Sequence, residues 1–212
     1  MDKLSIKDQF SNNYNVSRET ISRLEVYHDL LMRWQKIKNL VSRNTLDKIW
    51  SRHFADSAQL IDYAASQSNW LDIGTGAGFP GMVIAIMTSD RSNGYSILVD
   101  SDHKKCAFLR EVARETGARV EIRCGRIERM MKDLPHIDIV TARALAPMTQ
   151  LIDYCLPILE TGATGLFLKG QDVERELKDI NQSGNLYIEL NQSKTEQNGW
   201  IVKVQSKAHT AL

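Results

Sequence analysis

Five short apolar runs, "WLDIG" (70–74), "YSILVD" (95–100), "VEIRC" (120–124), "IDIVTA" (137–142) and "TGLFLKG" (164–170), alternate with segments of helical periodicity. The helical pieces fall near 80–88, 103–116, 126–133, 147–159 and 171–180. Strands separated by roughly 10–15 helical residues imply βαβ units, hence an α/β chain with a mostly parallel sheet covered by helices on both faces. The end of the chain departs from this rhythm. "NLYIEL" and "GWIVKVQ" read as strands joined only by the turn-rich "NQSKTEQN", which predicts an antiparallel hairpin closing the sheet at seven strands.

Upstream of Trp70 there is almost no strand signal. "SIKD" at Ser5–Asp8 has capping-box spacing, and Ile21, Leu24, Tyr27, Leu31 and Trp34 recur at helical intervals from Ser17 onward. A shorter amphipathic segment follows, with Ile49, Trp50, Phe54, Ala58, Leu60 and Ile61. The expected organisation is a helical extension over 1–65 and an α/β domain over 66–212. Trp34 and Trp50 are assigned to the core of the extension rather than to base stacking.

Composition narrows the setting. No run approaches 18 apolar residues and "MDKLSIKDQFSNN" has no apolar signal core, so a cytoplasmic protein with no membrane contact is expected. Cys106, Cys124 and Cys155 are odd in number, widely spaced and without CxxC, so they are read as packing residues of a reduced compartment. No metal site is expected. The net charge of +1 excludes a globally basic coat, but two local excesses stand out. Arg33, Lys36, Lys38, Arg43, Lys48 and Arg52 face Asp47 alone, and nine Lys/Arg face five Asp/Glu between Ser101 and Lys132. Such patches are either solvated helix faces or docking sites for a polyanion.

The loop "DIGTGAGFPG" follows the first strand and opens a helix, the context in which a glycine-rich turn binds nucleotides. A nicotinamide site asks for G-x-G-x-x-G with the pyrophosphate on the helix N-terminus. Here Gly74, Gly76 and Gly78 alternate, the third dinucleotide glycine position carries Phe79, and Pro80 removes an N–H where the helix begins. Asp72 facing a diphosphate charge would cost about 3 kcal/mol at ~5 Å and an effective dielectric near 20. The same carboxylate favours a cationic ligand, and S-adenosylmethionine carries an ammonium and a sulfonium but no phosphate. Asp100, followed by Ser101, ends the second strand, where an acid can bond both ribose hydroxyls. The residues therefore favour a methyltransferase, with a dinucleotide enzyme and a plain structural turn as alternatives.

"LDIGTGAGFPG", "LVDSDHKKCAFLREV", "GRIE", "ARALAP" and "FLKGQ" occur in this order, preceded by "RWQKIKNLVS" and "RHFADS". Together they resemble the bacterial 16S ribosomal RNA guanine-N7 methyltransferase family (RsmG, also called GidB), over about Ser17 to Gln171. The resemblance implies a class I, Rossmann-like S-adenosylmethionine-dependent methyltransferase with a helical N-terminal extension. Its implied target is a guanine in the 530 loop of 16S ribosomal RNA, as RNA or within a small-subunit particle, and the enzyme is expected to be a monomer. By resemblance, cofactor contacts fall on Gly74 and Phe79, on Ile127 and Glu128 after the third strand, and on Arg143 after the fourth. The family usually has proline where this chain has Ala77, an exchange that removes no side-chain contact.

Guanine N7 carries an in-plane lone pair and no proton, so its methylation needs positioning rather than a general base. There is accordingly no D/N-P-P-Y and no Pro-Cys after the fourth strand, where "TARALAP" stands. Arg143 is expected to bind a phosphate or the cofactor's carboxylate end, or else to make a structural salt bridge. Glu128 is either an adenine-side contact or an exposed helix acid. Lys169 is placed for RNA phosphate or is a solvated lysine, and His53, beside Arg52, contacts RNA, lines the cleft or is a hydrogen-bonded half-buried histidine. The basic residues of 33–52 and of the helix after Asp100 are expected on the rim of the cofactor cleft. Three rivals remain: a small-molecule methyltransferase of the same fold, a non-catalytic RNA- or nucleotide-binding module, and a nicotinamide enzyme.

Overall fold

A computed structural model describes residues 5–65, 68–90, 94–178, 180 and 185–209. The expected boundary at 66, residues 1–4 and position 179 of the last expected helix lie outside the described residues.

All described elements before Trp70 are helical. Helix α1 (Ile6–Tyr14) starts at Ser5, whose hydroxyl accepts from the Asp8 N–H while the Asp8 carboxylate accepts from the Ser5 N–H. This reciprocal cap satisfies donors that the first turn leaves unpaired. Helix α2 (Arg18–Gln35) is capped by Ser17 and buries Leu24, Tyr27, Leu30 and Leu31 along one face. A 3-10 segment (Arg43–Lys48), a π-helical turn (Ile49–Phe54), α3 (Ala55–Ala58) and a second 3-10 segment (Gln59–Tyr63) follow. The sequence pattern from Ile49 to Ile61 predicts one amphipathic segment. Instead the turns change pitch, and Ile49, Trp50, His53 and Phe54 are buried together.

From Trp70 the chain alternates as expected. In order come β1 (Trp70–Ile73), α4 (Gly81–Thr88), β2 (Ser96–Asp100), α5 (His103–Thr116), β3 (Val120–Cys124), α6 (Ile127–Met130) and β4 (Ile139–Arg143). Helix α7 (Met148–Leu159), β5 (Thr164–Lys169), α8 (Val173–Lys178), β6 (Leu186–Gln192) and β7 (Trp200–Ser206) complete it. The sheet order is β3-β2-β1-β4-β5-β7-β6, with β7 alone inserted antiparallel beside β5 and paired to β6 in the closing hairpin. The order reverses between β1 and β4, so the ends of those strands open a crevice there.

Side-chain alternation divides the sheet faces. Leu71, Ile73, Ile97, Val99, Val140 and Ala142 point to a mainly aliphatic core shared with α7 and β7. Leu98 points the other way, into a core that joins α4 and α5 to the N-terminal helices through Tyr27, Phe54, Phe79 and Phe108. The extension is thus packed directly on the helix layer that carries the glycine-rich loop. No described helix is long and apolar enough to cross a membrane. All three cysteines are free, with Cys106 and Cys155 buried.

Candidate active site

The loop after β1 owes its shape to its glycines. Gly74, Gly76 and Gly78 have φ of +63°, +61° and +99°, a region that side chains with a Cβ rarely enter. A Cβ on Gly78 would lie 2.6 Å from the Tyr27 hydroxyl, so this glycine lets helix α2 close on the loop. The Tyr27 hydroxyl donates to the Ala77 carbonyl, and its ring stacks on Phe79 at 5.5 Å. At Gly76, by contrast, the nearest atom to such a Cβ is a backbone oxygen 3.9 Å away, and the residue lines an open cleft.

Two acids hold the loop from behind. Asp72 accepts from the Gly81 N–H at 3.0 Å and from the Thr141 hydroxyl at 2.8 Å, and is fully enclosed. Burial pushes its pKa up to about 6 against the nearby Thr75 hydroxyl, the hydrogen bonds from Thr141 and Gly81 and the charge of Arg143. The expectation that its carboxylate faces the ligand therefore needs correction: both oxygens serve the helix start and β4. Asp100 accepts from the Gly76 N–H and the Asp102 N–H, each at 2.8 Å. Each of its oxygens retains a second lone pair, so acceptance from a ribose hydroxyl stays open.

The cleft, of about 760 Å³, is lined by Gly74–Ala77, Phe79, His53, Arg143 and Lys169, with Leu40–Ser42 and Thr45 on one side and Glu196 and Asn198–Trp200 on another. Asp72, Gly78, Asp100, Ser101, Ile127 and Glu128 stand outside that lining. Ile127 packs on the aliphatic core and Glu128 is exposed at the start of α6, next to the turn where the Gly125 N–H bonds the Asp100 carbonyl at 3.0 Å.

Arg143 forms the floor. Its guanidinium lies 4.9 Å over the Phe79 ring and donates to His53 Nδ1 at 2.8 Å, with Asp56 Oδ2 and the Arg52 carbonyl each at 3.4 Å. Because a guanidinium only donates, Nδ1 of His53 accepts and Nε2 carries the proton. That N–H points to Thr45 Oγ1 at 2.9 Å, and Thr45 in turn donates to the Ser42 carbonyl. Burial, then the charges of Arg143 and Arg52, lower the His53 pKa to about 3, so the ring is neutral at neutral pH. Burial also lowers the pKa of Arg143, opposed chiefly by Asp56. His53 is thus a hydrogen-bonded residue of the cleft wall, and Arg143 has the salt bridge that its sequence reading held as an alternative.

Lys169 departs from its expected role. Its ammonium is held by Glu176 at 2.6 Å and by the Ala146 carbonyl at 3.0 Å, so it is not a free phosphate ligand. Sequence reasoning missed Asp56, which sits in the quoted "RHFADS" with no role assigned. It accepts from Thr195 at 2.9 Å and from Gln59 at 2.9 Å besides pairing with Arg143, and so ties the β6–β7 connection to the floor of the cleft. Thr75 was also missed. It lines the cleft, is buried, and its Oγ1 makes no hydrogen bond. A buried hydroxyl left unmatched beside open space is one a ligand can complete, so loop and cleft fit an adenosyl cofactor with a charged amino-acid end.

Residues 20–198 match the family model described as rRNA small subunit methyltransferase G. The chain is 47% identical to the ribosomal RNA small subunit methyltransferase G of Methylobacterium radiotolerans, covering 91% of each chain. It is 43% identical to the protein of that name from Rhodopseudomonas palustris, over 93% of this chain and 85% of the relative.

The chain belongs to the rRNA small subunit methyltransferase G family.

Solved structures agree on the fold. An O-methyltransferase from Bacillus cereus in complex with SAH superposes with a TM-score of 0.61 at 14% identity, covering 85% of this chain and 91% of that one. A SAM-dependent methyltransferase from Aquifex aeolicus gives 0.56 at 14%, covering 80% and 96%. Family and fold together make the chain a class I, Rossmann-like methyltransferase, as its sequence motifs implied.

Proposed function

We propose that this enzyme transfers the methyl group of S-adenosylmethionine to N7 of a guanine in the 530 loop of 16S ribosomal RNA. The observation that carries the reading is the state of His53. It is the histidine of the cleft, it is neutral, and both its nitrogens are engaged, so it has no lone pair left to remove a proton. A cleft whose histidine is spent on structure suits an acceptor nitrogen that already has a lone pair and no proton. When bound, S-adenosylmethionine would supply an electrophilic methyl on its sulfonium, which such a nitrogen can attack directly without losing a proton.

The protein's part is then binding and orientation. In this reading the backbone of Gly74 and Gly76, the Thr75 hydroxyl and Arg143 hold the amino-acid end of the cofactor. Asp100, with Ser101, takes the ribose, while Ile127 and Glu128 flank the adenine. The Arg143 charge is balanced by Asp56, so it can orient a carboxylate without a bare cation opposing a purine that gains positive charge. The enzyme acts in the cytoplasm as a monomer, on RNA or a small-subunit particle whose target base is exposed or flipped toward the cleft.

The test maps N7-methylguanosine in 16S RNA from cells with and without this protein, together with transfer of labelled methyl to purified particles. A missing mark restored by the gene supports the reading. Label appearing only in another RNA or in a small molecule would redirect it to the corresponding rival, and binding of NAD in place of S-adenosylhomocysteine would sink it.

A further inference from the structure

Among the described residues, four cationic side chains line the cleft, and they are not equally available. Arg143 is paired with Asp56, with side-chain exposures of 19% and 13%. Lys169 is paired with Glu176, at 11% and 26%. Lys105, 29% exposed, lies 3.9 Å from Asp100, the acid that accepts from the Gly76 N–H of the glycine-rich loop. Arg52 is the most open of the four, 41% exposed, and its partner Glu196 is 36% exposed. Breaking an enclosed pair strands a charge out of water, whereas opening an exposed pair costs little, because both ions are rehydrated.

The backbone around this pair is pinned, while the paired side chains are exposed to solvent. The Arg52 carbonyl accepts from Arg143, and the next residue is the doubly bonded His53. On the other side, Ser193, Lys194 and Thr195 are held by Gln59 and Asp56, with Gln59 entirely buried. Both residues therefore have fixed stems at the cleft mouth and solvent-exposed heads that meet as an ion pair.

We infer that the Arg52–Glu196 ion pair is an exchangeable gate: an RNA backbone phosphate takes the Arg52 guanidinium and releases the Glu196 carboxylate to solvent. This rests on the reading that the substrate is RNA. The exchange conserves charge, since one anion replaces another on the same cation. A guanidinium offers phosphate the same two-pronged donor geometry that it offers a carboxylate. Until exchange, Glu196 holds Arg52 ordered at the mouth and repels an approaching phosphate. The gate also supplies the exposed cation of the cleft that Lys169, tied to Glu176, cannot be.

The two partners must then act with opposite sign, which no structural salt bridge does. Methyl transfer from labelled S-adenosylmethionine to deproteinised 16S RNA and to isolated small-subunit particles, measured across a salt series, reads the effect. Arg52→Gln raises KM for RNA about tenfold and flattens the salt dependence by about one unit of log slope. Arg52→Lys restores most of that slope but only part of the affinity. Glu196→Gln lowers KM for RNA severalfold, and all three variants keep the wild-type KM for S-adenosylmethionine. If Arg52→Gln and Glu196→Gln shift KM for RNA in the same direction, or Arg52→Gln leaves it unchanged, the gate is overturned while the substrate stands. If the wild-type enzyme labels no ribosomal RNA, the substrate assignment fails and the gate falls with it.

Discussion

The two sides of the cleft are held by different forces. On the loop side, left-handed glycines, enclosed carboxylates and the stacked rings of Tyr27 and Phe79 leave no slack, and water reaches none of the bonds of Asp72. On the opposite side, the stems are fixed by Gln59 and Asp56, but the outermost contacts, Arg52–Glu196 and Lys194–Asp62, are exposed ion pairs. The side proposed to orient the cofactor relies on backbone shape and burial, which cannot be traded for solvent. The side where the proposed RNA phosphate would exchange is instead closed by charge pairs that water and salt weaken.

This contrast breaks most sharply at Gly78. A methyl group there, at φ +99°, would lie 2.8 Å from both Leu109 and Met82 as well as on the Tyr27 hydroxyl. Gly78→Ala is expected to cost about 3 kcal/mol or more from backbone strain plus overpacking. Urea unfolding measures it, and a cost below about 1 kcal/mol would mean the loop side yields.

A second effect couples the two sides through pH. His53 has a folded pKa of about 3 against 6.5 unfolded, so the unfolded chain takes the proton first. That contribution to stability is present above 6.5 and is lost as pH falls, by at most about 1.4 kcal/mol per unit. Asp72 has a folded pKa of about 6 against 3.8, so the folded chain holds the extra proton between those values and acidification there favours folding. The two slopes oppose each other from about pH 6 to pH 4. His53→Gln removes only the first, so stability relative to wild type should rise on acidification through that window. Parallel stability–pH curves for the two proteins would contradict a neutral buried ring.

Smaller again is Tyr27→Phe, which removes the hydroxyl from the Ala77 carbonyl for about 1 kcal/mol. If this bond sets the loop, calorimetry should also show weaker binding of S-adenosylhomocysteine; an unchanged affinity would reduce Tyr27 to packing. Least of all is the Lys194–Asp62 pair, 2.7 Å apart but exposed at 64% and 51%. A double-mutant cycle should return a coupling of about 0.5 kcal/mol or less, screened further by salt. A value near 2 kcal/mol would erase the distinction between the two sides.

The strands, the helices between them and the closing hairpin were legible because burial on a sheet imposes a period of two and burial on a helix a period near four. The capping box at Ser5 and the helix from Ser17 were legible for the same local reason. The stretch 43–63 was not, since its tight and wide turns follow from packing Trp50, His53 and Phe54 against residues distant in sequence. Arg143 and His53 could be nominated from motifs, but nothing near them in the chain announces that they bind each other across ninety positions. Asp72 and Lys169 were misjudged for a related reason. A charged residue's role depends on its partner, and their partners lie on other elements.

By itself, the order of residues determined the α/β alternation, the conformation of the glycine-rich loop and membership of a methyltransferase family, because each rests on periodicity, backbone freedom or a run of neighbours. Only the tertiary structure decided which charges are enclosed and which remain exposed to solvent. Charge availability is set by burial and by partners brought together in space, and no local pattern encodes it.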